Sequence, residues 1–325
     1  MAGAMPPHVV PTPQPTALDA STSSSPGKSP SPGLDRTGLV LYAAIVVVWG
    51  TSWIMIRYAL GVTPVEVTVA LRFWLAAALM FAILAIRGER WRFSAADHAL
   101  LVVLGVFLFS TNFTLFYYAG KSLTTGLLAV IFSMATLYNM ALSVVAERIA
   151  VPRRVLLGGM LGVAGLCLIF WPELRADRSA APAVGLALLG TLSFSIGNVI
   201  AQRVRVRGLP VIGSTAWGML YGASGLSLVA FALWATGTID VVIDTRPAYW
   251  ASLVAQAIFA SVIAFLTYTA LLRRIGTARA GYATVMFPLI ALAISTSVEG
   301  YIWTLASVAG LGLILAGNIA VLRKS

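Results

Sequence analysis

Residues 39–58 read LVLYAAIVVVWGTSWIMIRY, a stretch of twenty residues in which Arg57 is the one charged side chain. A helix of about 20 apolar residues spans the roughly 30 Å hydrocarbon core of a bilayer. Nine more stretches share this character, at 67–86, 99–118, 123–146, 154–171, 183–204, 211–235, 248–271, 280–298 and 303–322. None shows the alternation of a membrane β-strand. The sequence therefore predicts an all-α integral membrane protein with ten transmembrane helices.

The composition of the whole chain agrees with this prediction. The 325 residues are 59% hydrophobic and 10% charged, and the mean hydropathy is +0.91. A soluble globular protein is about a quarter charged, so most soluble enzymes, disordered scaffolds and coiled coils are excluded. A single cysteine, Cys167, cannot form a disulfide framework or a thiolate metal site within the chain. Residues 1–36 hold eight of the fifteen prolines and lack an apolar signal-peptide core, which predicts a disordered tail.

The positions of lysine and arginine predict the orientation in the membrane. If the N-terminus is cytoplasmic, sixteen of the 22 basic residues fall on the cytoplasmic side and five on the other, with Arg72 inside a predicted helix. Cytoplasmic loops of membrane proteins carry this excess of positive charge. We therefore expect both termini in the cytoplasm, in the cytoplasmic (inner) membrane of a bacterium.

The second half of the chain repeats features of the first. A shift of 152 residues aligns Glu147 with Glu299, and it aligns two glycine pairs, Gly158 with Gly310 and Gly165 with Gly317. A shift of 146 aligns Arg57 with Arg203. Each half holds five predicted helices, and because five is odd the second half must enter the membrane from the opposite side. The sequence thus predicts two inverted five-helix repeats, 37–175 and 176–325, around a central cavity, an arrangement typical of alternating-access transporters.

Short motifs in the predicted helices carry a family resemblance. They are Trp49-Gly50-Thr51-Ser52-Trp53 in the first helix, Arg72-Phe73 in the second, and Glu147-Arg148 before a glycine-rich fifth helix. In their order and spacing, over roughly residues 39–322, the chain resembles the ten-helix EamA-type branch of the drug/metabolite transporter superfamily. This resemblance implies export of small organic solutes, above all neutral or aromatic amino acids and related metabolites. Where that family often has a proline in the fourth helix, this sequence has Ala135 and Thr136, whereas Pro288 is kept in the ninth, so the two halves are expected to bend differently.

Polar and aromatic side chains within the predicted helices are the candidates for a substrate path. Amides and hydroxyls are costly in hydrocarbon unless paired, so they should face the bundle interior. Together with aromatic walls they would form a neutral cavity for an amphipathic solute. The candidate substrate-binding residues are Trp49, Ser52, Trp53, Asn112, Tyr117, Tyr138, Asn139, Ser195, Asn198, Gln256, Tyr268 and Tyr282. The alternative for each is ordinary packing, with hydroxyls bonded to their own helix backbone.

A second group of residues is expected to act in gating or structure. Arg72 lies about one turn inside the outer end of its helix, so we expect it to reach the membrane surface in a structural role; turned inward, it would attract a carboxylate or pair with Glu66 or Glu299. Glu147 and Glu299 lie on opposite membrane faces, which favours gate or helix-end contacts over a shared site. Pro288 marks a bend in the ninth helix. The paired glycines predict close packing of the fifth helix on the tenth.

No catalytic constellation or cofactor site is apparent in the sequence. A phosphate-binding loop is missing, neither histidine lies in a predicted helix, and we expect no enzyme activity, no metal, no cofactor and no nucleic-acid partner. We expect a small-molecule substrate and the lipid bilayer as partners, for a monomer or a homodimer.

The positions of the aspartates and glutamates indicate which gradient would drive transport. All eleven acids lie in the tail, in loops or at helix ends, which favours uniport. Three alternatives stay open: proton-coupled antiport through Glu66, Glu147 or Glu299, a nucleotide-sugar or phosphorylated-metabolite carrier, which would need more buried cations, and a lipid scramblase.

Overall fold

A computed structural model of the chain describes residues 36–147, 153–176, 180–280 and 283–322. Within these ranges the chain forms helical segments and no strand. In chain order they are α1 (Arg36–Ser52 and Ile54–Ala59), α2 (Val65–Arg87), α3 (Ala95–Leu104, Gly105–Thr111 and Asn112–Ala119), α4 (Thr125–Phe132 and Ala135–Glu147), α5 (Arg153–Ala176), α6 (Ala180–Val206), α7 (Val211–Ala235), α8 (Pro247–Ala255, Gln256–Ile263 and Ala264–Ala280), α9 (Ala283–Glu299) and α10 (Leu305–Leu322). The predicted tail lies outside the described residues, apart from Arg36.

Most of these segments can cross a membrane. Seven meet the length and hydropathy that a span requires: α1, α2, α3, α4, α6, α7 and α8. The other three contain shorter apolar helices, Leu156–Phe170, Val285–Glu299 and Leu305–Ala320. Large apolar side chains such as Leu156 and Met160 point away from the bundle and are exposed. An apolar outer surface of this extent is stable in lipid rather than in water, so the protein is a multi-pass membrane protein.

Helix ends differ from the predicted ones where local chemistry is strong. α3 begins at Ala95, four residues before the predicted start, because Ser94 and Asp97 form a capping box. α2 ends at Arg87 and is capped by Gly88, whose φ of 63° is a left-handed conformation that favours glycine. α8 continues as a helix to Ala280, well beyond the predicted end at 271.

Two segments of π-helix lie at related positions. They are Gly105–Thr111 in α3 and Gln256–Ile263 in α8. The shift of 152 residues that aligns the glutamates and glycines carries the first segment onto 257–263. π-Helical turns are rare and frequently occur at functional sites. The two halves of the chain therefore carry the same backbone irregularity in the same place.

The main helix contacts also come in matched pairs. α1 packs on α9 as α6 packs on α4, α1 packs on α8 as α6 packs on α3, and α2 packs on α8 as α7 packs on α3. The remaining strong contacts join α2 to α7, α4 to α9, and α5 to α10. Replacing every segment by the one five places away in the chain leaves this set of contacts unchanged.

Glycines bring α5 and α10 into close contact. A Cβ added to Gly165 would lie 2.5 Å from the carbonyl oxygen of Gly310, and a Cβ added to Gly317 would lie 2.6 Å from that of Gly158. Only a residue without a side chain allows backbones to approach this closely. The predicted packing of the fifth helix on the tenth is confirmed.

The helix without proline is the one that breaks. α4 is interrupted at Ser133 and Met134, where the Ser133 hydroxyl donates to the Val130 oxygen at 2.6 Å and the Met134 N–H donates to the Ile131 oxygen at 3.0 Å. Such local bonds compete with the regular helical pattern. α9 stays one continuous helix around Pro288. The two halves do bend differently at this position, but a serine turn rather than the proline interrupts the helix.

Candidate functional site

α4 is buried in its first half and partly exposed in its second half. We call the end that holds Thr125 and the end of α9 the Glu299 end, and the opposite end, where α1 begins, the Arg36 end. Every residue from Thr125 to Ile131 is buried, whereas Tyr138, Asn139 and Ser143 are partly exposed. The first half of α4 is therefore enclosed at the Glu299 end, and its second half is only partly covered by neighbouring helices.

A buried carboxylate seals the Glu299 end. Oε2 of Glu299 accepts hydrogen bonds from the Thr125 N–H at 2.9 Å, the Thr125 hydroxyl at 2.8 Å and the Ser295 hydroxyl at 2.6 Å. Arg57 lies 3.9 Å from the other carboxylate oxygen. Thr125 begins α4, so the negative charge also lies at the positive end of a helix dipole. These bonds tie the end of α9 to the start of α4, a geometry that suits the gating role predicted for Glu299.

A second ion pair stabilises the loop before α8 at the same end. Arg246 donates to Asp244 through Nη2 at 2.6 Å and through its backbone N–H at 2.9 Å, and it reaches the carbonyl oxygen of Leu60 at 3.0 Å. The Asp244 N–H donates in turn to the Thr63 hydroxyl at 2.8 Å. The hydrogen bonds from Arg246 lower the pKa of the Asp244 carboxyl below its ordinary value, and those bonds raise the pKa of Arg246. The loop is thereby tied to the end of α1.

Aromatic rings from six helical segments form a cluster in the middle of the bundle. The ring centroid of Trp53 lies 5.3 Å from that of Phe116 and 5.4 Å from that of Phe132. Trp49 lies 5.0 Å from Tyr268 on α8. The complete cluster comprises Trp49, Trp53, Phe116, Phe132, Phe194, Tyr268 and Phe287. Three of the predicted candidates, Trp49, Trp53 and Tyr268, thus come together.

Two amides meet beside this cluster. Nδ2 of Asn198 donates to Oδ1 of Asn139 at 3.2 Å, and both residues are half-buried. Asn198 lies one helical turn from Phe194, whose ring is 4.6 Å from that of Phe132. The amide pair therefore lies on the Arg36 side of the aromatic cluster and joins α4 to α6. Each amide keeps hydrogen-bonding capacity for a ligand beyond this single bond.

Arg72 is buried, so the expectation that it reaches the membrane surface is wrong. Its side chain is 4% exposed and lies two turns inside α2. Nη1 donates to Oε1 of Gln256 at 2.9 Å, and Nε and Nη2 donate to the hydroxyl of Ser261 at 3.3 and 3.1 Å. The guanidinium carbon lies 4.4 Å from the ring centroid of Phe113. The alternative pairing with Glu66 or Glu299 is not observed either, since Glu66 accepts instead from the Tyr118 hydroxyl at 2.6 Å.

Gln256 connects Arg72 to α1 and α3. Its Oε1 also accepts from the Tyr117 hydroxyl at 2.8 Å, and its Nε2 donates to the Ser252 hydroxyl at 3.2 Å. The Ser252 hydroxyl donates to the carbonyl oxygen of Met55, just beyond the break in α1. Gln256 and Tyr117 are almost completely buried, as is required of polar groups held in a closed network.

The remaining predicted site residues make other contacts or lie outside the described residues. Ser52 donates to its own helix at the Trp49 oxygen, and the Asn112 amide donates to the Leu108 oxygen at 3.4 Å while the residue is 2% exposed. Ser195 is fully buried, and its hydroxyl has no partner among the described residues. Tyr138 is partly exposed on α4, and Pro288 is buried in α9. Glu147 ends α4, but its side chain lies outside the described part of the chain, as does the whole of Tyr282.

Sequence reasoning missed the phenylalanines. Phe116, Phe132 and Phe287 supply most of the wall around Trp53. An apolar ring in a membrane helix gives no signal that separates a cavity wall from a lipid contact. In the described part of the chain no three His, Cys, Asp or Glu side chains come together to hold a metal ion.

Comparison with known proteins places the chain in a family. The sequence profile of the EamA-like transporter family matches residues 36–171 and, a second time, residues 181–323. The chain belongs to the EamA-like transporter family. It is therefore a member of the drug/metabolite transporter superfamily, as the motifs predicted, and proteins of this family are transporters rather than enzymes.

Individual relatives align with this chain over most of their length. Protein PagO of Salmonella typhimurium is 24% identical over 81% of this chain and 85% of its own. A protein of the same organism named "Probable amino-acid metabolite efflux pump" is 24% identical over 87% and 94%. The uncharacterized inner membrane transporter YedA of Escherichia coli K12 is 24% identical over 86% and 88%. A solved crystal structure matches with a TM-score of 0.61 at 16% identity, covering 88% of this chain and 96% of the other, and supports the fold alone.

Proposed function

We propose that this EamA-family protein is a secondary carrier that exports neutral or aromatic amino acids and related metabolites by alternating access. The observation that carries the proposal is the half-buried aromatic and amide cluster around Trp49, Asn139 and Asn198. It lies between segments of both halves, next to a buried stretch of α4 toward the Glu299 end and a partly exposed stretch toward the Arg36 end. Neutral amides beside aromatic rings suit a solute with both a ring and polar groups.

Three regularities support an inverted repeat as the basis of the motion. The family profile matches the chain twice, the two π-helical segments are related by 152 residues, and the main helix contacts are unchanged when the halves are exchanged. Two structurally equivalent halves offer two related packings of the same helices, one open at each end. In this proposal all ten helical segments cross the membrane, both termini are cytoplasmic, and the Glu299 end faces outward.

We further propose uniport driven by the gradient of the substrate. Glu66 is buried and the Glu299 side chain is 6% exposed, but one oxygen of each accepts from neighbouring hydroxyls at the Glu299 end rather than in the central cluster. Because the central cluster is built from one chain, a monomer is sufficient for transport.

Reconstitution of the purified protein in liposomes tests this function. We expect uptake of at least one labelled neutral or aromatic amino acid down its own gradient, unchanged when a pH gradient is collapsed by an ionophore. Loss of uptake on removal of the pH gradient alone would show proton coupling. Absence of movement for every amino acid under any gradient would reject the assignment of the substrate.

A further inference from the structure

We propose that Arg72, with Ser261 and Gln256, is the subsite that recognises the carboxylate of the transported solute. This inference rests on the proposed function, because it names the group by which the substrate is selected. It assigns to Arg72 a task that the surface position expected from the sequence would not allow.

The first argument is the missing counter-charge. A buried cation in a membrane protein is normally paired with another charged group or with backbone carbonyls. No carboxylate of a described residue forms an ion pair with Arg72. Its polar partners are the neutral oxygens of Gln256 and Ser261, and the rings of Phe113 and Phe73 lie against it. The positive charge is held in position without being neutralised.

The second argument is the geometry of the guanidinium. Nε and Nη2 form the edge that binds a carboxylate with two parallel hydrogen bonds. In this structure both atoms donate to one hydroxyl oxygen, that of Ser261, at 3.3 and 3.1 Å. Charge-assisted bonds to a carboxylate are shorter, about 2.7–2.9 Å. Ser261 thus occupies, with a single neutral oxygen, a position that two carboxylate oxygens would fill better.

The third argument is the placement of this edge. Ser261 lies within the π-helical segment of α8, and Tyr268 follows it by seven residues on the same face of the helix. Seven residues extend about 10 Å along a helix. Tyr268 is in contact with Trp49, so the charge lies about 10 Å along α8 from this ring pair of the aromatic cluster. A solute with a carboxylate at Arg72 would place an aromatic side chain toward Trp49 and Tyr268.

Access to this subsite requires a change of packing. Arg72, Gln256 and Ser261 are all buried here, on the Glu299 side of the cluster. The site would be reached when α2 and α8 separate in the state open at the Glu299 end. In the state described here, Ser261 and Gln256 hold the guanidinium ready for it.

Binding of two matched probes to detergent-purified protein tests the inference. L-Phenylalanine and L-phenylalaninamide share ring and amine and differ in the carboxylate. By titrated thermal shift, we expect wild-type protein to bind phenylalanine about tenfold more tightly or better. Arg72→Gln should reduce this ratio to near one, and Arg72→Lys should keep part of it because lysine retains the charge but not the fork.

The controls separate recognition from folding. Arg87→Gln removes an exposed arginine at the Arg36 end and should leave the ratio unchanged. Equal affinity for the two probes in wild type, no binding of either, or an unchanged ratio in a folded Arg72→Gln variant would each overturn the inference. Carboxylate-dependent binding without transport in liposomes would instead reject the proposed function and leave the subsite standing.

Discussion

Individual polar residues in this bundle differ in the reach of their side chains. Many short hydroxyls bond to their own helix, as Ser52 does to the Trp49 oxygen and Ser143 to the Asn139 oxygen. Longer side chains more often reach across helices, as Asn198 does to Asn139 and Arg72 to Gln256. Since a buried polar group must find a partner, the longer side chains specify which helices are neighbours.

Trp49→Ala should reduce amino-acid transport about tenfold while expression and folding are retained. The indole contacts Tyr268 and Phe287, and an aromatic contact of this kind is worth about 1 kcal/mol beyond the area it buries. Initial uptake rates in liposomes measure the effect. Trp234→Ala is the matched control, because this tryptophan is exposed at the end of α7 and lies away from the cluster. Equal transport by both variants would reduce Trp49 to a packing residue.

Asn198→Ala should also impair transport, by removing the donor that fixes the Asn139 amide. The Asn139 oxygen would be left without this partner in a half-buried site, at a cost of about 1–3 kcal/mol. We expect a raised KM with a smaller change in kcat, measured as above. Identical kinetics in wild type and variant would argue that the amide pair joins helices without contacting substrate.

Asp244→Asn should lower the melting temperature near neutral pH, and the difference from wild type should vanish in acid. The sign follows from the lowered pKa of Asp244: its carboxylate stabilises the folded state above the ordinary aspartate pKa, and this stability is lost as the pH falls through the lower, folded-state value. Melting of purified protein over a pH series measures it. Asp240→Asn, at an exposed position of the same loop, is the control and should melt at the same temperature as wild type throughout the pH series.

At the scale of elements, hydropathy predicts helices well and their irregularities poorly. The bounds of nine of the ten predicted spans lie within a few residues of the observed helix ends. Some of the differences follow local signals such as the capping box at Ser94. The π-helical segments and the break at Ser133 were not predicted. Each of these irregularities interrupts a continuous apolar run. Within such a run, whether a turn is α-helical, π-helical or broken depends on the helices packed against it.

Gly310→Ala should destabilise the contact between α5 and α10. The new methyl group would meet the carbonyl oxygen of Gly165 at 2.6 Å, and overpacking of this type costs about 1–3 kcal/mol. Gly312→Ala is the matched control on the same helix, because nothing lies within 4 Å of its added methyl group. Thermal unfolding in detergent should show a loss for the first variant and none for the second. A neutral Gly310→Ala variant would contradict the close approach of the two backbones.

At the scale of the whole molecule, enclosure is unequal at the two ends. At the Glu299 end hydrogen bonds join α4 to α9, whereas the second half of α4, toward the Arg36 end, is partly exposed. A bundle that is more tightly closed at one end must have stronger contacts there than at the other. Glu299 is the residue that concentrates those contacts.

Glu299→Gln should therefore shift the protein toward the state open at the Glu299 end. The substitution removes the charge that strengthens the bonds from Thr125 and Ser295, and a charge-assisted bond contributes about 1.5–3 kcal/mol. In a Cys167→Ser, Leu128→Cys background, a membrane-impermeant maleimide should label Leu128→Cys about tenfold faster from the Glu299 side. The reporter is fully buried in the closed end. Glu89→Gln, at the Arg36 end, should not change labelling; an unchanged rate in Glu299→Gln would show that the carboxylate is not the seal.

The sequence by itself determined the class of the protein. Runs of about 20 apolar residues can be stable only as helices in lipid, and this constraint acts locally, so spans, glycine contacts and family motifs are legible in the chain. Only the tertiary structure decided that Arg72 faces inward to Gln256 and Ser261, and that Glu299 caps α4. The reason is that Arg72 and Gln256, Arg72 and Ser261, and Glu299 and Thr125 are each more than a hundred residues apart. Pairing over that distance depends on how the helices pack rather than on the sequence around either residue.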